Sequence, residues 1–313
     1  MSKNPKSRPT IKAIVTADIH LDINNRLDDK VAVLRQIARY AVKNTVDMVI
    51  ILGDVYERKR PYNSEKAVFE KFVKYLSDKH IEVVILAGNH DTDKDGISAV
   101  EEFDILKLPN VQLVKNPSVI DFAEYKLLLG HFLINGAKLG PDDYSAGRAV
   151  NLKDITRQYK ADLYLFGDVH KAQKLQDKPP ALYVGSPERN TFGERKEIKG
   201  FTLLESPLGE LKFKFVPLET RKMVQYDVED IQEWLGDDIA PSWKDAIVKV
   251  KITCTEKQYG TICEESILKK LEGAYSVKVD YNVLKKTRAR NTDINEENWQ
   301  LLRKRNEHQR IKF

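Results

Sequence analysis

Two short stretches, VTADIHLDI and LFGDVHKAQ, each carry an apolar run into Asp-x-His: Asp18 and His20 in the first, Asp168 and His170 in the second. The chain has only six histidines, so repeating this pair about half a protein apart points to a shared purpose. Six apolar runs end in polar or glycine-rich clusters: IVTADIH, VIILGDVYERKRP, VVILAGNHD, LLLGHF, LYLFGDVH and ALYVGSPERN. In an open α/β sheet, ligands bind outside the carboxyl ends of the strands. Placed in one sheet, these runs would bring Asp18, His20, Asp54, Asn89, His90, His131, Asp168 and His170 to one edge. Asp-x-His leaving a strand would put carboxylate and imidazole on one side, because residues i and i+2 share a face.

Carboxylates, an amide and imidazoles, with no thiolate, suit Mn, Fe or Zn rather than a Cys-type zinc site. The set is too large for one ion. It suits two ions about 3.5–4 Å apart that share a bridging carboxylate, the arrangement used in phosphoryl hydrolysis. Taken singly, these residues have plainer explanations: Asp18 and Asp54 as turn or cap residues, GNHD as a simple turn. Those explanations would have to hold independently at five strand ends. His80 and His308 have no such setting and read as surface histidines.

The elements that must position these groups alternate. Strands are predicted over 11–17, 46–52 and 81–87, and helices over 30–44 and 64–79, with Ser64 as the N-cap of the latter. Later runs (125–130, 161–167, 181–185, 200–205 and 210–217) read as strands with few helices between the last three. The pattern predicts an α/β fold: a layered, mixed β-sheet domain over 11–217 with helices outside. After Pro217 the order strand, short helix, strand, helix, strand predicts a small α+β domain over 218–284. Residues 1–10 read as a flexible basic tail. Residues 285–313 read as a basic tail with one weak helix, NEENWQLLRKRNE, that could bind a partner.

Composition narrows the class. The chain has 313 residues, is 42% apolar and carries a net charge of +5. Residues 281–313 hold nine Lys and Arg against four acids, so the rest is neutral overall and the basic end suits a polyanion. No apolar run approaches the ~20 residues of a membrane span. The start, MSKNPKSRPT, has no apolar core of a signal peptide. Cys254 and Cys263 make no disulfide framework and read as reduced thiols, which implies a cytoplasmic setting.

The ordered set DIH, GDVYE, GNHD, GH and GDVH resembles the signature of the calcineurin-like metallophosphoesterases, conventionally D-x-H, G-D, G-N-H-D/E, G-H and G-H-x-H. Within that superfamily the chain is most similar to the SbcD (Mre-eleven) double-strand-break repair nucleases. GDVYERKRP and YVGSPERNTFGE carry that likeness, the latter resembling their G-S-x-E-R-x-x-F-G-E run. The chain is short for that family, as a compact phage version acting in a host cytoplasm would be. The resemblance implies a metallophosphoesterase domain with a capping domain at 218–284. It implies one metal held by Asp18, His20, Asp54 and His170, and another by Asp54, Asn89, His131 and Asp168. His90 would face the scissile phosphate as the catalytic acid. Two Mn²⁺ are expected, with Mg²⁺, Fe²⁺ or Zn²⁺ as alternatives. Two positions depart from the family pattern: Asp168 stands where a histidine is usual, and so does Glu57. The implied activity is a DNA nuclease, 3′-to-5′ on duplex ends and endonucleolytic on single strands or hairpins. Implied partners are DNA, a coiled-coil ATPase of SbcC type and a second copy in a homodimer. Arg58, Lys59 and Arg60, just beyond Asp54, are candidate DNA contacts. The rival readings are a small-molecule phosphodiesterase or phosphatase, a non-catalytic DNA-end-binding scaffold, and a regulator of an ATPase.

Overall fold

The computed structural model describes residues 10–105, 107–140, 149–238 and 241–284. The chain divides into two compact units, Met1–Met223 and Val224–Phe313. The first runs β1 (Ile11–Thr16), α1 (Leu27–Lys43), β2 (Met48–Leu52), α2 (Asn63–Asp78), β3 (Glu82–Leu86), α3 (Glu102–Ile105) and β4 (Val111–Val114). It continues with β5 (Ser118–Phe122), β6 (Tyr125–His131), α4 (Leu152–Gln158), β7 (Leu163–Gly167), β8 (Gln173–Asp177), β9 (Pro180–Tyr183), β10 (Gly200–Ser206) and β11 (Lys212–Pro217).

These strands form two mixed sheets, which corrects the expectation of one shared sheet edge. The first has the order β11-β10-β1-β2-β3-β4 and the second β5-β6-β7-β9-β8. In the first, β1 to β4 are parallel, β10 pairs antiparallel with β1, and β11 pairs antiparallel with β10 at the edge. In the second, β6, β7 and β9 are parallel with antiparallel β5 and β8 outside. Alternation along each strand explains why there are two. Ile14, Val49, Ile51, Val83 and Ile85 face α1 and α2, through Leu34, Ile37, Phe69 and Val73. Ala13, Val15, Ile50, Leu52 and Val84 face the other way, onto Leu127, Leu129, Leu163 and Leu165 of the second sheet. The outer face of that sheet packs Leu128, Tyr164 and Phe166 with Ile155 of α4. The result is four layers, helix, sheet, sheet, helix. Strands covered on both faces read as unbroken apolar runs such as MVIIL, whose five residues are all buried.

Helix α2 starts one residue before Ser64. Its cap position is Tyr62, whose backbone N–H donates to the Glu65 carboxylate at 2.8 Å. Glu65 also accepts the N–H of Ile23 at 2.8 Å, so tertiary contacts set this helix start and not the Ser64 hydroxyl.

The second unit has β12 (Met223–Val228), α5 (Ile231–Gly236), β13 (Ile247–Thr255), α6 (Glu256–Tyr259), α7 (Glu264–Lys270) and β14 (Ser276–Leu284). Its sheet order is β12-β13-β14, with β13 and β14 parallel. Val248, Val250 and Ile252 of β13 pack on Trp234 of α5 and Ile267 of α7. Cys254 is buried in this core, Cys263 is exposed, and both are free thiols. Among the described residues no helix is long and apolar enough to cross a membrane. Residues 1–9, the tail at 285–313 with its expected helix, and His308 lie outside the described residues.

Candidate metal centre

The polar residues collect where the carboxyl ends of β1, β2 and β3 in one sheet meet those of β6 and β7 in the other. Strand β1 ends at Thr16 and β7 at Gly167, so both Asp-x-His pairs lie in loops beyond their strands. The period-two rule therefore does not place them, which corrects the strand-face expectation. Left-handed backbone places them instead, with positive φ at Asp18 (53°), His20 (50°), Asp54 (49°) and Asp168 (89°). Such conformations cost of order 1–3 kcal/mol each and cluster at functional sites. A few fully buried core side chains, at about 1.5–3 kcal/mol each, offset that cost.

Close backbone approach brings the loops after β2 and β3 together. Gly88 packs against Asp54 so tightly that a Cβ there would sit 2.1 Å from Asp54 Oδ1. Asp91 of GNHD, fully buried, accepts the N–H groups of Val55, Tyr56 and Gly88 at 3.0–3.2 Å. It thereby ties the loop after β3 to the loop after β2. Burial, with Asp54 nearby, pushes its carboxyl above the usual range.

Asp54 stands at the centre. Its Oδ1 accepts the backbone N–H of His90 at 2.9 Å. Its Oδ2 lies 3.3 Å from His131 Nε2 and 3.8 Å from His20 Nε2. On one side of it, His20 Nε2 is 3.1 Å from His170 Nε2, and Asp18 joins them in a group whose donor atoms lie within 4.8 Å of one another. On the other side, His131 Nε2 is 3.1 Å from Asn89 Oδ1 and 3.9 Å from Asp168 Oδ1. Asp18 Oδ1 accepts the N–H of Asp168 at 3.0 Å, joining the two Asp-x-His devices directly.

The three ring nitrogens facing away from the centre each meet an oxygen. His131 Nδ1 donates to the Leu52 carbonyl at 2.7 Å, and His170 Nδ1 to Glu194 Oε1 at 3.1 Å. His20 Nδ1 lies 2.9 Å from Glu57 Oε2, close but without hydrogen-bond alignment. With protons on Nδ1, the Nε2 lone pairs converge on one another and on carboxylate oxygens, which is repulsive unless a proton or cation lies between. Asp18 Oδ2 is fully buried with no protein partner. Three carboxylates, an amide oxygen and three imidazoles, with outward nitrogens tied to acceptors, fit divalent cations of the Mn, Fe or Zn kind.

The electrostatics agree. Burial works against the charge on Asp54, but His131, His20 and His90 outweigh it and hold the carboxyl well below the usual range. Burial disfavours an imidazolium at His131, yet Asp54, Asp18 and Asp168 overcome it and hold the ring up at about 10. Burial pushes Asp18 up against the pull of His131 and His170. The carboxylates that retain a proton on His131 are those that would attract a dication in its place.

His90 lies beside this cluster. Its Nδ1 pairs with the Glu57 carbonyl at 2.9 Å, its ring meets that of His20 edge-on at 5.0 Å, and its side chain is 39% exposed. Of the candidate DNA contacts, Arg58 is engaged: its guanidinium pairs with Asp22 and lies 4.8 Å from the ring centre of Tyr62. Lys59 and Arg60 are exposed. Arg189 of GSPERN bonds the Thr220 hydroxyl and the carbonyls of Arg221 and Glu197, so it locks its loop. Sequence reasoning passed over Asp91, Glu57 as a partner of His20, and Glu194. The T-x-x-E spacing of Thr191 and Glu194 was the available signal for the last.

Residues 11–172, which contain every one of these candidate ligands, match the calcineurin-like phosphoesterase family. The chain belongs to that family. Its members are divalent-metal phosphoesterases, and the oxygen and imidazole cluster suits that chemistry. Among curated relatives, the SbcD component of the SbcCD nuclease of Staphylococcus epidermidis is 23% identical over 279 residues, covering 71% of this chain and 74% of the relative. The DNA double-strand break repair protein Mre11 of Archaeoglobus fulgidus is 25% identical, covering 68% of this chain and 60% of that protein. The corresponding SbcCD nuclease component of Escherichia coli K12 is 30% identical over 86 residues, 26% of this chain and 22% of the relative. Among solved structures, a Vps29 variant from Entamoeba histolytica aligns with a TM-score of 0.39 at 16% identity, covering 67% of this chain and 100% of that one. That likeness is too slight to carry an argument about function.

Proposed function

We propose that this phosphoesterase is a DNA nuclease of double-strand-break repair and recombination, working with two divalent ions, Mn²⁺ foremost. The observation that carries the reading is the position of Asp54 Oδ2 between His20, which groups with His170 and Asp18, and His131, which lies near Asn89 and Asp168 and also groups with Asp18. The similarity to SbcD and Mre11 nucleases supports DNA as the substrate. Asp18, His20, Asp54 and His170 would hold one ion, and Asp54, Asn89, His131 and Asp168 the other. The ions, when bound, supply a nucleophilic water at neutral pH and neutralise charge building on the phosphate. The protein's own part is to orient and to move a proton. The Glu57 carbonyl accepts from Nδ1 of His90, so that the ring, as imidazolium, would donate its Nε2 proton to the departing sugar oxygen and be left neutral. Exposed Lys59 and Arg60 would meet the phosphate backbone, while Arg58 first has to leave Asp22. The expected polarity is 3′-to-5′ on duplex ends, with endonuclease action on single strands and hairpins. The unit from Val224 is read as a capping domain, and a homodimer and a coiled-coil ATPase of SbcC type are the proposed partners.

A substrate panel tests the reading. With Mn²⁺, end-labelled duplex DNA should be shortened and a cyclic nucleotide and a phosphopeptide left intact. Turnover of either small substrate with DNA untouched would favour the small-molecule phosphodiesterase or phosphatase. Metal-dependent DNA binding with no cleavage of any substrate would favour the scaffold.

A further inference from the structure

We infer that Glu194 and Lys199, in the loop between β9 and β10, are positioning residues of the metal centre that set the orientation and donor strength of His170. This rests on the metal role proposed for His170. Glu194 is 2% exposed, and its Oε1 receives His170 Nδ1 at 3.1 Å together with the backbone N–H groups of Thr191 at 3.1 Å and Asn190 at 3.3 Å. Those bonds close a single 3-10 turn, Phe192–Glu194, which pins the carboxylate behind the imidazole. Lys199 is also 2% exposed. Its ammonium lies 2.5 Å from Glu194 Oε2 and 2.9 Å from Glu197 Oε2, and donates to the His170 carbonyl at 3.0 Å. One buried cation therefore holds both the backbone of the ligand residue and the carboxylate that holds its ring.

The rest of the loop serves the same contact. Gly185 has φ +75°, and a Cβ there would meet Ala172 N at 2.6 Å and the His170 carbonyl oxygen at 3.0 Å. Without it, the N–H of Ser186 reaches that carbonyl at 3.0 Å. The Asn190 side chain donates to the Asp18 carbonyl at 3.3 Å, so the loop grips both Asp-x-His devices. A carboxylate accepting from Nδ1 fixes the tautomer with the lone pair on Nε2 and strengthens that nitrogen as a donor. The GSPERNTFGE run, which phosphate contact does not explain, thus acts through a ligand.

Mn²⁺ titration of the full chain after chelator treatment, followed by calorimetry, tests this. The wild type should bind two ions. Glu194→Gln should weaken one of them about 10–100-fold and the other less than about three-fold. His170→Ala should weaken the same ion, and adding Glu194→Gln to it should change little further. Glu197→Gln, which removes a partner of Lys199 without touching His170, should leave both ions as in the wild type. If Glu194→Gln does not fold by circular dichroism, Glu194→Asp, which withdraws the carboxylate by one methylene, is read the same way. A folded Glu194 variant that binds both ions like the wild type would overturn the clamp and leave the metal centre standing. Equal losses from Glu197→Gln would also overturn it, by showing mere loop closure. A wild type that binds no Mn²⁺ would overturn the metal centre itself.

Discussion

Asp54 and His90 occupy distinct positions at the scale of single residues. Asp54 uses one carboxylate oxygen on the backbone of His90 and leaves the other between two sets of donors. His90 lies outside those two sets and groups instead with His20 and Glu57, its Nδ1 meeting the Glu57 carbonyl. His90→Ala should therefore retain Mn²⁺ uptake in a calorimetric titration and lose cleavage by about 10²–10⁴-fold, the usual contribution of a general acid. Loss of an ion in that variant would make His90 a ligand. The eight candidate residues were legible in the sequence because their types and order are chemical facts of the chain. Their surroundings were not. Glu57 meets His20, Asp91 meets Val55 and Glu194 meets His170 across 37, 36 and 24 positions respectively, separations that only the fold closes. The interaction of Arg58 with Asp22 was hidden for the same reason.

At the scale of elements, the strand and helix rhythm was readable wherever apolar periodicity is strong, as in α1, α2 and the parallel strands. Short pieces such as β4, β8 and α4, four to seven residues each, carry too little pattern to stand out. The loops beyond the strands do the placing, through close packing and left-handed backbone that periodicity cannot report. Gly88→Ala tests that packing. Its Cβ would lie 2.1 Å from Asp54 Oδ1 and 2.3 Å from Asp54 N, so the loops must separate. Urea denaturation should show a loss of about 1–3 kcal/mol, and Mn²⁺ binding should weaken at both positions. Unchanged stability and binding would show that this contact carries nothing. Helix α1 offers a pH test. Lys30 is fully buried, bonded to the Asn190 side chain, and burial with Arg26 beside it lowers its pKa to about 8 from 10.5. Below about pH 8 both folded and unfolded chains carry the proton, and the folded state bears the cost of burying it. Between about 8 and 10.5 only the unfolded chain binds that proton, so this residue's contribution to stability rises with pH and then levels off. The stability of the wild type relative to Lys30→Met, from urea curves at successive pH values, should therefore rise across that window by of order 3 kcal/mol. A difference that is flat or falling would contradict it.

At the scale of the whole molecule, the mixed layered α/β architecture followed from the order of elements. That the strand ends belong to two facing sheets did not. Runs buried on both faces look alike whether they sit in one sheet or two, and only the alternation of Ile14 toward α1 with Val15 toward the second sheet distinguishes them. This arrangement brings Asp18 and Asp168, 150 positions apart, within one hydrogen bond. It also puts an aspartate where the family pattern has an imidazole, an added negative charge that should favour hard divalent ions. The most direct measurement is anomalous scattering at the manganese edge from crystals of the full chain soaked in Mn²⁺. Two peaks about 3.5–4 Å apart are expected, with Asp54 touching both. An Asp168 oxygen should lie within ~2.0–2.4 Å of the ion near His131. A single peak, or two peaks with Asp54 on only one of them, would contradict the shared two-ion centre.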